Sequence, residues 1–104
     1  VPPRVKAPEV LTAPCAVALH ARIAQAGAEV LQWTPVTSPV RMRVEASTCH
    51  QCSPITYEFG LIGGRWYIRR TDYRRGKPVV HEAVAQRHRI AEERWRMLLA
   101  GVAI

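Results

Sequence analysis

Between residues 40 and 72 the side chains alternate with a period of two. Val40, Met42, Val44 and Ala46 alternate with Arg41, Arg43 and Glu45, and Ile55, Tyr57, Phe59 and Leu61 alternate with Thr56, Glu58 and Gly60. Successive side chains of a strand point to opposite faces, so each run predicts a strand with one apolar face. Gly63-Gly64 supplies two consecutive positions that accept positive φ, as a two-residue hairpin turn demands, and a third strand follows from Arg65 to about Asp72. Counting across that turn opposes Leu61 to Trp66, Phe59 to Ile68 and Glu58 to Arg69. Apolar then meets apolar and acid meets base, which fixes the register.

On either side of this stretch the period lengthens. Ala16, Leu19, Ile23, Ala26, Val30 and Trp33 recur at spacings of three and four. They predict a helix that begins near Pro14 and stops before Pro35. Gly27 weakens it; if the helix ends there, residues 28–33 form a short strand. From about Pro78 to Ala100, Val80, Val84, His88, Ala91, Trp95, Leu98 and Val102 form a near-heptad seam. The opposite side carries Glu82, Arg87, Arg89, Glu92, Glu93 and Arg96, a mixture that partly pairs at helical spacing and reads as a solvated face. The pattern therefore predicts an α+β domain in the order α-β-β-β-α, a three-stranded antiparallel sheet covered on one face by two helices. Residues 1–13, with Pro2, Pro3, Pro8, Arg4 and Lys6, read as an extended basic arm, and residues 14–104 as a single domain.

Composition adds charge to this picture. The 104 residues are 48% hydrophobic and include three Trp, enough to build a core and too apolar for a disordered chain. Fifteen Lys and Arg against eight Asp and Glu give a formal net charge of +7. That charge favours acidic partners: nucleic acid first, DNA or RNA, and an anionic membrane surface or an acidic protein next. No apolar run approaches the roughly 18 residues of a membrane span, so no membrane partner is expected. Residues 10–21 are moderately apolar but are interrupted by Pro14 and His20, and read as helix rather than as an export signal. Three Cys, an odd number, fit a reduced cytoplasmic protein better than a disulfide framework.

The positive charge is concentrated. Residues 65–77 hold five Arg and one Lys against Asp72 alone, interleaved with Trp66, Tyr67 and Tyr73. On the alternation above, the polar sheet face presents Arg41, Arg43, Arg65, Tyr67 and Arg69. Arg70, Arg74, Arg75 and Lys77 add phosphate contacts from the strand end and the following loop. The order α-β-β-β-α is that of double-stranded-RNA-binding domains, and three strands with a packed helix is also the plan of phage-integrase arm-binding domains. The likeness is one of topology. Thr48-Cys49-His50 stands where the RNA-binding loop usually has Gly-Pro before its His, and Pro78-Val79-Val80-His81 stands where that family's last helix opens Lys-rich. The expected function is a small nucleic-acid-binding or regulatory accessory protein without catalysis. The alternative is a protein-interaction module that docks an acidic partner or forms a homodimer.

A second constellation is Cys49-His50-Gln51-Cys52 at the junction of the first two strands. Two thiolates spaced C-x-x-C on a turn can face one Zn²⁺, so Cys49 and Cys52 are the candidate metal ligands. Further ligands would come from Cys15, His20, His50, His81 or His88. The redox alternative wants C-x-x-C opening a helix, and here it lies between strands. Cys15, at the expected helix N-terminus, reads as a small buried hydrophobe before it reads as a nucleophile. The chain offers no phosphate-cradling Gly loop and no paired-carboxylate site.

Overall fold

The structure, a computed structural model, describes residues 19–85 and 87–104. The basic arm, the first turns of the expected first helix and Cys15 lie outside the described residues. Five strands form one antiparallel sheet: β1 (Thr34–Val36), β2 (Arg43–Ser47), β3 (Ile55–Ile62), β4 (Arg65–Asp72) and β5 (Val79–Ala85), in the spatial order β1-β5-β4-β3-β2. One helix, α1 (His88–Ala100), follows β5 and packs on one face.

The β3–β4 hairpin is as the alternation requires. Gly63 and Gly64 adopt φ of 58° and 80°, and Leu61 opposes Trp66, Phe59 opposes Ile68 and Glu58 opposes Arg69. Phe59, Ile68 and Ala83 form a buried row across the three central strands, against which Ala91, Trp95 and Leu98 of α1 pack. Phe59 stacks on Trp66 at a ring separation of 5.0 Å and on Trp95 at 5.6 Å, and His88, the first residue of α1, meets Trp66 edge-on at 4.4 Å. The aromatic group thus fills the space between sheet and helix. Offset and edge-on ring pairs of this kind add about 0.5–1.5 kcal/mol each beyond their burial.

The expectation of three strands under two helices is incorrect: the described residues form a five-stranded sheet and one helix of 13 residues. Residues 79–85 satisfy both periods. Val80 and Val84 fit a helical seam, but Val80, Glu82 and Val84 also alternate with His81 and Ala83. Pairing to β4 resolves the ambiguity, because β5 covers an edge that would otherwise leave a row of backbone groups unpaired. The described part of residues 14–33 is not helical either. Gly27 adopts φ 80° in a turn, and the segment runs beside the C-terminal tail. Arg22 N–H donates to Leu99 O, Gln25 N–H to Gly101 O, Glu29 N–H to Val102 O and Leu31 N–H to Ile104 O, all at 2.8–3.0 Å. Those backbone groups find partners across the chain rather than within a helix. Gly101 makes the approach possible. It caps α1 in the left-handed conformation, and a Cβ there would lie 2.6 Å from Ile23 O.

Strand order also sets a strap across the sheet. β1 and β2 are consecutive in sequence but lie on opposite edges. Four inter-strand gaps span roughly 19 Å, and seven Cα steps reach at most about 24 Å. Residues 37–42 must therefore cross nearly straight. They cross on the face opposite α1, where Val40 O accepts a hydrogen bond from Arg69 Nη2 at 2.6 Å and Met42 packs on Gly60. A bulge between Val44 and Ala46 then changes the phase of β2: Val44 opposes Gly60 on the strap side, whereas Ala46 opposes Phe59 and joins the core.

Candidate metal centre and basic surface

The loop from β2 to β3 is pinned at its root. Thr48 is buried; its N–H donates to Tyr57 O and its Oγ1 accepts from Tyr57 N–H, both at 2.9 Å. The next residue, Cys49, is buried and donates its N–H to Leu19 O at 2.8 Å. Leu19 in turn forms a parallel bridge with Thr48, which sets His20 beside the Cys49–Cys52 turn. The ligand atoms of His20, Cys49 and Cys52 all lie within 4.8 Å of one another. Around a tetrahedral zinc ion such atoms are about 3.6–3.8 Å apart, so small side-chain adjustments of exposed His20 and Cys52 would let the three share one ion, with a fourth position left for another donor. Gln51 N–H donates to Cys49 Sγ at 3.3 Å. All three residues line a cavity of about 380 Å³ whose other walls include Tyr57, Leu98 and Ile104. A His/Cys/Cys cluster able to hold a metal ion is therefore present. Of the other candidate ligands, His81 is opposite Arg70 in the sheet and His88 packs on Trp66, each in a different part of the fold.

The basic residues do not form one patch. Arg69, at the centre of β4, is built into the sheet. Its Nε and Nη2 donate to Glu82 Oε2 at 2.7 and 2.6 Å, and the two side chains are only 11% and 12% exposed. Arg70 and His81 oppose each other on the α1 side, and Arg70 Nε and His81 Nδ1 are both buried without a hydrogen-bond partner among the described residues. Tyr67 is half-buried between Gly60 and Val84. The alternation over residues 40–44 is also inverted with respect to the sheet: Met42 is the buried residue on the strap side, and Arg43 opposes Leu61.

Of the basic residues singled out from the sequence, those that remain exposed lie at the two ends of β4. Arg41, Arg43 and Arg65 flank the β3–β4 turn, where Arg43 makes a 3.4 Å ion pair with Glu45 in open solvent. At the other end are Arg74, Arg75 and Lys77 in the β4–β5 loop. Arg74 is committed to Asp72: its Nη2 and Nε donate to the carboxylate at 2.7–3.2 Å, and its backbone N–H donates to Oδ1 at 2.9 Å. The Arg74 side-chain hydrogen bonds, then its backbone N–H, hold the Asp72 carboxyl well below the usual carboxylate range; the same bonds raise the Arg74 guanidinium. Arg41, Arg65, Arg75 and Lys77 are exposed and make no ion pair with another described residue. At about 3.4 Å per residue the two ends of the eight-residue strand are roughly 24 Å apart.

Of the residues singled out from the sequence, the structure brings Arg41, Arg43 and Arg65 to one end and Arg74, Arg75 and Lys77 to the other. It keeps Cys49 and Cys52 together, and it takes Arg69 and Arg70 into the sheet. Sequence reasoning named His20 only as one of five further candidates; the structure singles it out, 29 positions before Cys49 and set beside it by the Leu19–Thr48 bridge. Comparisons with protein-family models, curated proteins and solved structures find no match to this chain.

Proposed function

We propose that this chain is a non-catalytic nucleic-acid-binding protein that contacts phosphates from the two basic ends of β4. The observation that carries the reading is that exposed cations with no carboxylate partner among the described residues stand at both ends of β4, Arg41 and Arg65 at the hairpin end and Arg75 and Lys77 at the loop end; Arg22, Arg87 and Arg89 are also exposed and unpaired among the described residues, but not on this strand. Arg43 joins them, since an exposed pair with Glu45 at 3.4 Å contributes little and exchanges readily for a phosphate. A separation near 24 Å is most of a duplex turn of about 34 Å, so the two ends reach phosphates that are not adjacent. The contacts are to backbone rather than to bases, because the strap closes the middle of the sheet face that a base-reading ribbon would present. Titration with duplex DNA, duplex RNA, single strands and polyglutamate across a salt series tests this. Binding to nucleic acid that weakens linearly in log salt supports it. Binding to polyglutamate alone moves the reading to an acidic protein partner.

The Cys49–Cys52 turn belongs to the same reading as structural support, and the ion we assign to it is zinc. Two thiolates with an imidazole form a soft donor set that suits zinc over Mg²⁺ or Ca²⁺. A reducing cytoplasm, where we place the protein, keeps both sulfurs available for it. No helix among the described residues is long and apolar enough to cross a membrane.

A further inference from the structure

We infer that His20 is the third zinc ligand and that the ion acts as a clasp, fastening residues 19–25 to the body of the domain. This rests on the zinc reading of the Cys49–Cys52 turn and adds a ligand and a consequence.

Three observations carry it. First, His20 is placed by the fold: the Leu19–Thr48 bridge and the 2.8 Å hydrogen bond from Cys49 N–H to Leu19 O put it within ligand distance of both sulfurs. Second, the segment it anchors is poorly held by packing. Leu19, His20, Arg22, Ile23 and Gln25 are exposed, Ile23 to 94%, so burial supplies little of the free energy that orders this stretch. Third, the same stretch docks the end of α1, through Arg22 N–H to Leu99 O and Gln25 N–H to Gly101 O, and Ile23 O lies against Gly101. A metal bond between His20 and the β2–β3 loop therefore closes a chain loop of about thirty residues. It orders a segment that apolar burial does not. Zinc ligation is strong enough to decide such an equilibrium, because ligand binding to the folded arrangement is itself ordering free energy.

The test uses the full chain, purified reduced, with zinc loaded and then withdrawn by a chelator. Zinc content and affinity are measured alongside amide hydrogen exchange. The zinc reading expects about one ion per chain, lost in Cys49→Ser. The clasp expects two further results. His20→Ala weakens zinc at least tenfold, with His20→Cys restoring it. On zinc removal, exchange at the Arg22 and Gln25 amides rises at least tenfold while the β4 amides hold. A chain that takes up no zinc overturns both readings. A chain that binds zinc with wild-type affinity after His20→Ala, or whose Arg22 and Gln25 amides exchange unchanged without the ion, overturns the clasp and leaves the Cys49–Cys52 site standing.

Discussion

Arg69 is fastened to Glu82 rather than to Glu58. All three lie in one row across the sheet, with Glu58 and Glu82 on either side of Arg69, yet the guanidinium turns to Glu82 at 2.6 Å and spends its remaining reach on Val40 O. The guanidinium that pairs with Glu82 also reaches the strap at Val40 O, so one side chain serves both. Arg69 is therefore the rivet between strap and sheet, and a poor candidate for a phosphate ligand.

Removing one member of this pair leaves the other charge nearly buried. Arg69→Ala is expected to destabilise the fold by about 3 kcal/mol, the low end for a broken buried pair. Replacing both charges, as Arg69→Met with Glu82→Leu, is expected to recover most of that loss, because no uncompensated charge remains. Chemical denaturation of the two variants measures it. A single variant as stable as the wild type sinks the rivet.

The Asp72–Arg74 turn carries a pH signature. Asp72 titrates in the folded protein well below its unfolded value near 3.9, so its contribution to stability is fully present above that value. It is lost as pH falls through the lower, folded value. Carbon NMR of the side chain at about pH 3 is expected to find Asp72 still ionised. Arg74→Ala removes the side-chain donors and is expected to return the group toward the ordinary range. An Asp72 that is half protonated near pH 4 in the wild type contradicts the geometry.

Gly60 has no room for a side chain. A Cβ there would meet Arg43 O and Met42 Cγ, so the strap and the first residue of β2 can approach β3 only over a glycine. Gly60→Ala is expected to cost about 1–3 kcal/mol as the crossing is forced away. Gly64→Ala, where a Cβ meets nothing within 4 Å, is strained only through its φ of 80°. Thermal unfolding of the pair should rank Gly60→Ala as the more damaging, and the reverse order removes the close approach.

Local pattern made the β3–β4 hairpin legible, because a Gly-Gly turn and two period-two runs specify the register without outside help. It left residues 79–85 ambiguous, since the valines at 80 and 84 serve either period and only the unpaired edge of β4 decides between them. It misplaced Arg69 for a related reason. Alternation tells which face a side chain takes, but the strap covering that face is fixed by strand order, which no local spacing encodes. Cys49 and Cys52 were legible as a pair because their spacing is local. His20 was legible only as one of several further candidates, because its nearness depends on a bridge between residues 29 positions apart.

The salt dependence of nucleic-acid binding tests the functional reading most directly. Wild type is to be compared with the triple variant Arg41→Ala, Arg43→Ala, Arg65→Ala, and with Arg96→Ala on the exposed face of α1 as the control for lost charge. Each arginine that meets a duplex DNA phosphate steepens the slope of log K against log salt by about 0.9, so the triple variant should flatten it by up to about 2.7, with weaker binding to every sequence alike. Arg96→Ala should leave the slope close to wild type. A triple variant that keeps the wild-type slope, while circular dichroism shows it folded, contradicts phosphate binding at the hairpin end.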